Sequence, residues 1–222
     1  MLVLLLTRRR PRSCMDIAKD RNDITATLIN QNSLKNVDRF RYLGNIITHN
    51  GDLTPEIDNR IGKAANAFNR LLPLMRHKSI KMCTKISIYL AVVLSTLLYG
   101  SESWNTTVQE EKRLAAFHTR CLRRMLGVSW QDHVPNEVIF ERTVQVSLIN
   151  ILRHKRLTWL GHVTHMLQTR LPCCLLYWEP RGCRCPGRQR MRWKDAVSRD
   201  LQDSELSFNE ATVVAQDHKG WR

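Results

Sequence analysis

The stretch FRYLGNIITHNGD, residues 40–52, marks the point where the chain changes from one kind of structure to another. Aromatic and β-branched residues, typical of strands, lead up to the pair Asn50-Gly51, which is a strong turn signal. We therefore interpret the stretch as an extended run closed by an Asn-Gly turn. Residues 13–48 as a whole have a β-rich character, with partial alternation in the segment ITATLIN.

Downstream of residue 52 the hydrophobic pattern changes to the period of a helix, about 3.6 residues. Thr54 is the predicted N-cap of a first helix and Pro55 its first residue. Further helices are predicted over residues 79–100, 107–127, 136–142, 147–166, 191–202 and 208–221. For the third helix the boundaries are a Thr107/Glu110 capping box and Gly127. The predicted fold class is mainly α, with N-terminal strands or a hairpin ahead of the helices.

The charge balance points to a polyanionic partner. The 222 residues include 35 Lys and Arg against 20 Asp and Glu, a net charge of +15. Such an excess attracts nucleic acid, and less often an anionic membrane face. The apolar start lacks the pattern of a secretory signal, and the longest apolar run, residues 86–99, is too short to span a bilayer. We expect RNA and/or DNA as partners, with no membrane and no small-molecule substrate.

Basic residues gather in three places. Arg120, Arg123 and Arg124 lie on or beside the face opposite the apolar stripe of the third predicted helix. No acidic residue occurs between residues 142 and 178, and residues 181–199 hold seven basic residues against one acid, Asp195. The candidate nucleic-acid-binding residues are Arg120, Arg123, Arg124, Arg153, Lys155, Arg156, Arg181, Arg184, Arg188, Arg190, Arg192 and Lys194. Such contacts would be salt-dependent and largely indifferent to sequence, whereas the other interpretation is a solvated basic face.

Cysteine and histidine residues toward the C-terminal end are candidate ligands of a zinc ion. Seven cysteines, an odd number, in a chain without an export signal indicate free thiols in a reducing compartment. An adjacent Cys pair and a Cys-x-Cys do not give the ligand spacing of a structural zinc site. We predict no metal site, although zinc stays the alternative for the cluster His162, His165, Cys173, Cys174, Cys183 and Cys185.

Six segments in order carry a resemblance to a known family: FRYLGNIITHNGD, EIDNRIGKAANAFNRL, LLYGSESW, FHTRCLRRMLGVSW, RLTWLGHV and GRQRMRWKD. In this order they resemble the C-terminal part of the endonuclease/reverse transcriptase proteins of non-LTR (LINE-like) retrotransposons. The resemblance covers nearly the whole chain from about Phe40 onward.

The resemblance implies a domain organisation and a set of site residues. Residues 1–52 would be the edge of the polymerase palm, residues 53–130 the helical thumb, and residues 131–222 a basic helical extension. Phe40, Tyr42, Leu43 and Gly44 match the family's primer grip, the hairpin that positions the primer end. A location in the cytoplasm and the nucleus, without secretion, also follows from the family.

The chemistry of the intact family enzyme requires Mg²⁺ held by aspartates, two of them adjacent. This sequence contains no Asp-Asp pair; its only adjacent acids, Glu110 and Glu111, begin a predicted helix. We therefore predict no catalytic residue, no cofactor and no polymerase activity for this chain alone. The function predicted from the resemblance is that of a reverse transcriptase fragment that binds nucleic acid. The alternatives are a stand-alone basic helical nucleic-acid-binding protein and a non-functional remnant of a mobile element.

Overall fold

The computed structural model describes residues 28–29, 32–33, 37–178, 191–202 and 206–215. Two antiparallel hairpins come first: β1 (Leu28–Ile29) pairs with β2 (Asn32–Ser33), and β3 (Arg39–Tyr42) pairs with β4 (Asn45–Thr48). In the second hairpin Phe40 faces Ile47 and Tyr42 faces Asn45. Helices follow, so the predicted fold class, mainly α with a short N-terminal hairpin, is confirmed.

The helical part consists of eight α-helices within the described ranges, together with two short 3₁₀ helices, Ser101–Ser103 and Trp130–Asp132. The α-helices are α1 (Thr54–Arg76), α2 (Met82–Ile88, continued by the π-helical segment Tyr89–Leu94 and by Ser95–Leu97), α3 (Val108–Leu126), α4 (Asn136–Thr143), α5 (Leu148–Thr164), α6 (Leu171–Tyr177), α7 (Trp193–Leu201) and α8 (Phe208–Val214). Each predicted helix has a counterpart with slightly different bounds, and the last is described as far as residue 215. Helix α6 is the one that the pattern did not predict.

Helix ends show which local signals determine the boundaries. At the start of α3 the Thr107 hydroxyl accepts the Glu110 N–H at 3.3 Å, and the Glu110 carboxylate accepts the Thr107 N–H at 2.7 Å. Gly127 closes the helix in the left-handed region with φ 70°. Both predictions are therefore confirmed. At α1 the predicted N-cap is wrong by one residue, because Leu53 occupies that position and Thr54 is already helical.

The turn of the hairpin lies at a different place from the predicted one. The interpretation of residues 40–52 as one extended run is wrong, because β3 reverses at Leu43-Gly44. These two residues have φ values of 48° and 82°, the signature of a two-residue hairpin turn with both central residues left-handed. A second turn does occur at Asn50-Gly51, where the Gly51 N–H donates to the Thr48 carbonyl at 3.1 Å, but it leads into α1.

Two hydrophobic clusters hold the helices together. The first runs from Ile57 to Leu152 along the chain, and the run 86–99 contributes fully buried residues to it, as predicted for a core helix. The second runs from Leu160 to Ala211. Both clusters include residues of α5: Leu152 belongs to the first and Leu160 to the second. The predicted domain boundaries at residues 52 and 130 stay a prediction. In the described part of the chain, no helix is both long enough and apolar enough to cross a membrane.

Candidate nucleic-acid interface

The hairpin turn is fastened to helix α1 by a buried arginine. Arg60 is 5% exposed and its Nη2 donates to the Gly44 carbonyl at 3.0 Å and to the Asn45 Oδ1 at 2.5 Å. Its Nε donates to the Glu56 carboxylate, one helical turn earlier, at 2.6 Å. The other oxygen of Glu56 accepts the Ile46 N–H at 2.7 Å. The hairpin therefore has a defined position on α1.

A tyrosine beyond the end of α2 completes the attachment. The Tyr99 hydroxyl donates to the Leu43 carbonyl at 3.3 Å, and the guanidinium carbon of Arg60 lies 4.5 Å from the centre of the Tyr99 ring. A leucine with positive φ costs conformational energy, and it persists only where its surroundings impose it. The contacts from α1 and Tyr99 supply that constraint.

The primer-grip-like residues come together around this turn with their side chains in solvent. Phe40 is 57% exposed, Tyr42 42% and Leu43 72%, and Gly44 is exposed beside them. Three exposed apolar side chains on a four-residue strand and its turn form an apolar patch of the kind that marks interaction surfaces. The role of these four residues in positioning a primer stays a prediction.

The arginines of α3 are divided between solvent and structure. Arg120 and Arg124 are exposed, one helical turn apart. Arg123 is half-buried, and its Nη2 donates to the Val134 carbonyl at 2.6 Å and to the Asn136 Oδ1 at 2.9 Å. Arg123 thus ties α3 to the start of α4, whereas Arg120 and Arg124 are accessible for phosphate contacts.

The structure corrects the predicted role of Arg156 in α5. Its side chain is fully buried, and its Nε donates to the Asp200 carboxylate at 2.5 Å. Its Nη2 lies 3.1 Å from the Glu111 Oε1, and its Nη1 donates to the Thr106 hydroxyl at 2.8 Å. With every nitrogen engaged inside the protein, Arg156 belongs to a structural ion pair and does not contact phosphate from the surface.

Two further arginines join this ion-pair network. The Arg199 Nη2 donates to the Glu111 Oε1 at 2.6 Å, and the Arg153 Nε lies 3.7 Å from the Asp200 Oδ1. Of the three candidate nucleic-acid-binding residues in α5, Arg153 and Lys155 are half-buried, and Arg156 is fully buried. Sequence reasoning missed the network because each carboxylate is more than 40 residues from Arg156 along the chain.

The structure describes only part of the C-terminal basic cluster, residues 181–194. Arg181, Arg184, Arg188 and Arg190 lie outside the described residues. Arg192 and Lys194 are half-buried at the start of α7; the Arg192 N–H donates to the Asp195 carboxylate at 2.7 Å, and the Lys194 Nζ lies 4.8 Å from the centre of the Phe208 ring. Nucleic-acid contact by this cluster stays a prediction.

The structure describes four of the six residues of the cysteine and histidine cluster that could bind a metal ion: His162, His165, Cys173 and Cys174. Within the described ranges, no group of three or more His, Cys, Asp or Glu residues is arranged to hold a metal ion. Cys173 is buried in the second hydrophobic cluster, and the Cys174 thiol donates to the Gln168 carbonyl at 2.9 Å. Cys183 and Cys185 lie outside the described residues.

The first cluster contains a buried polar pair that the sequence pattern did not indicate. His118 is fully buried, and its Nδ1 lies 2.8 Å from the Tyr89 hydroxyl, where the π-helical segment of α2 begins. Burial lowers the pKa of His118 to about 4 and raises the pKa of Tyr89 above its usual range. Burial also raises the pKa of the nearby Cys121 thiol to about 12, so this cysteine is a poor nucleophile.

Comparison with known proteins places these features in a mobile-element context. The chain is 27% identical over 199 residues to an uncharacterized transposon-derived protein of Caenorhabditis elegans, an alignment that covers 85% of this chain and 70% of the relative. No family model matches the chain. No solved structure matches it either. The similarity supports a mobile-element origin for the chain.

Proposed function

We propose that the chain corresponds to the primer-grip edge, the thumb and the C-terminal helical extension of a non-LTR retrotransposon reverse transcriptase, and that it binds nucleic acid. The observation that carries the proposal is the β3–β4 hairpin. Its turn is held on the helical body by Arg60 and Tyr99, while Phe40, Tyr42 and Leu43 stay exposed. The transposon-derived relative supports the same origin.

The proposed role is binding and positioning, not chemistry. The chain has no Asp-Asp pair. Its two adjacent glutamates stabilise the fold: Glu110 caps α3, and Glu111 belongs to the ion-pair network around Arg156. Exposed Arg120 and Arg124 would contact backbone phosphates, which supply affinity without sequence preference. Element RNA in the cytoplasm and target DNA in the nucleus are the partners that this role implies.

The test is binding to a labelled RNA–DNA duplex with a recessed primer 3′ end, measured by fluorescence anisotropy against a blunt duplex of equal length. We expect the chain to prefer the recessed end, and Leu43→Ala to lose that preference. Leu167→Ala is the matched control, because Leu43 is 72% and Leu167 71% exposed. A chain that binds neither duplex would overturn the proposed function. A Leu43→Ala variant with unchanged preference would overturn the primer-end assignment.

A stand-alone nucleic-acid-binding protein is the second candidate. The network around Arg156 favours it, because its ion pairs join α3, α5 and α7 directly to one another. A cooperative, reversible melt of a monomer would support this candidate. Aggregation that Phe40→Ser and Leu43→Ser relieve would support the fragment instead, since an apolar hairpin without its neighbouring sheet is prone to association.

A further inference from the structure

An open recess of about 480 Å³ lies where the ends of α1 and α3 meet the start of α2. Four basic residues line it: Arg76, Lys78, Lys85 and Arg124. No acidic residue of the described chain is among its lining residues. Four positive charges facing one recess repel each other unless an anion joins them.

Two of the four cations have an ordinary structural explanation. Arg76 and Arg124 lie in the last turns of α1 and α3, where a positive charge is favoured by the negative end of the helix dipole. Their presence alone would therefore not indicate a ligand. Lys78 is an exposed residue just beyond the end of α1, whereas Lys85 lies near the start of α2, where this explanation fails.

Lys85 is the residue that points to a ligand. It is only 7% exposed, and among the described residues its ammonium group has no hydrogen-bond or ion-pair partner. The aliphatic stem of Lys85 is buried, so the ammonium group presents its charge at the recess that the residue lines. Lys85 also lies in the first turns of α2, whose N-terminus has neither a side-chain cap nor an acidic residue, so the helix dipole adds further positive potential.

We infer that this recess binds a backbone phosphate of a polynucleotide, with Lys85 as the central contact and Arg76, Lys78 and Arg124 around it. The inference rests on the proposed nucleic-acid binding and specifies where one phosphate is held. A phosphate offers the several acceptor oxygens that converging Lys and Arg donors require. A polynucleotide is favoured over a lipid surface because the recess is bordered by exposed polar and charged residues and the whole chain is strongly basic.

The test uses the full chain and a labelled 20-nucleotide RNA, with the dissociation constant measured by anisotropy from 50 to 300 mM KCl. The variants are Lys85→Met, which keeps the apolar stem and removes the charge, and the double variant Arg76→Gln/Lys78→Gln, whose sites are exposed and tolerate substitution. Lys112→Met is the matched control, an exposed lysine on α3 that does not line the recess. Thermal melts monitored by circular dichroism confirm folding of each variant.

We expect Lys85→Met to weaken RNA binding about tenfold at 100 mM KCl and to reduce the salt slope by about one, the loss of one phosphate contact. The double variant should weaken binding about fivefold, and Lys112→Met less than twofold. If Lys85→Met matches Lys112→Met, this inference is overturned while the proposed function stands. If the unmodified chain binds no RNA, the proposed function fails and the inference with it. Binding to phosphatidylcholine/phosphatidylserine vesicles but not RNA would assign the recess to lipid and also overturn it.

Discussion

Helices α3 and α5 are both rich in basic residues, but they place their arginines in opposite environments. In α3, Arg120 and Arg124 are exposed to solvent, whereas in α5 Arg156 is fully buried between two carboxylates. The difference comes from the partners: acidic residues of α3 and α7 reach Arg156, and among the described residues no carboxylate forms an ion pair with Arg120. Arginine content alone therefore does not identify a nucleic-acid surface, because a buried arginine requires acids from elsewhere in the chain.

The largest expected effect in this comparison is the loss of Arg156. Arg156→Met should destabilise the protein by about 4 kcal/mol, because it leaves the Glu111 and Asp200 carboxylates buried without their shared partner. Arg120→Met, an equivalent change on an exposed site, should shift the free energy of unfolding by no more than about 0.5 kcal/mol. Urea denaturation measures both. Equal effects would mean that the Arg156 network contributes nothing specific to stability.

Arg60 extends the comparison to an arginine that holds the hairpin. Arg60→Met should cost about 3 kcal/mol, because buried Glu56 loses its ion pair and the Gly44 carbonyl loses a donor. Hydrogen exchange should become faster at the amides of the hairpin turn. Arg70→Met, exposed on the same helix, should leave exchange unchanged. Unaltered protection of the hairpin in Arg60→Met would contradict the anchoring role.

Buried His118, on α3 itself, predicts a pH dependence that the arginines of α3 and α5 do not explain. Its pKa is lowered to about 4 in the folded chain, below the unfolded value of about 6.5. The unfolded state therefore binds more protons between these values, and stability falls as the pH falls. Between pH 7.5 and 5 the loss should be about 2 kcal/mol. Chemical denaturation of the chain and of His118→Gln over this range should show a shallower slope for the variant, and identical slopes would contradict the assignment.

The smallest expected effect is the loss of RNA affinity when exposed Arg120 of α3 is replaced. Arg120→Gln should weaken RNA binding about threefold at 100 mM salt, as expected for one phosphate contact at an exposed site. Arg142→Gln, an exposed arginine on α4 outside the proposed interface, is the matched control. Anisotropy titrations of both variants test the assignment. An equal loss in Arg142→Gln would indicate diffuse attraction to the whole basic surface.

Local signals were sufficient where a boundary depends on neighbouring residues. The capping box at Thr107 and Glu110 and the left-handed Gly127 are examples, since each involves residues within one helical turn. The Leu43-Gly44 turn was missed because Asn-Gly is the stronger statistical signal, and because the turn is held by Arg60 of α1 and by Tyr99, which is 56 residues from Leu43.

The candidate nucleic-acid interface was less predictable from the sequence, again because it depends on contacts between residues that are far apart in the chain. Whether an arginine is exposed depends on which carboxylates the fold brings to it, and Asp200 is 44 residues from Arg156. Lys85 gave no signal either, since a lysine in an apolar helix pattern reads as a solvated residue. Burial of this lysine follows only from the packing of α1, α2 and α3.

Helix α7 is docked through contacts that begin at its very start. Asn105 donates to the Met191 carbonyl at 2.6 Å, the Trp193 Nε1 donates to the Glu102 carbonyl at 2.9 Å, and Arg199 reaches Glu111. The chain is also anchored before residue 178, by α6 in the second hydrophobic cluster. Glu102, Asn105 and Glu111, which lie just before α3 and in its first turn, therefore contact α7 and the two residues before it at successive points, so the position of α7 depends on the segment that begins α3.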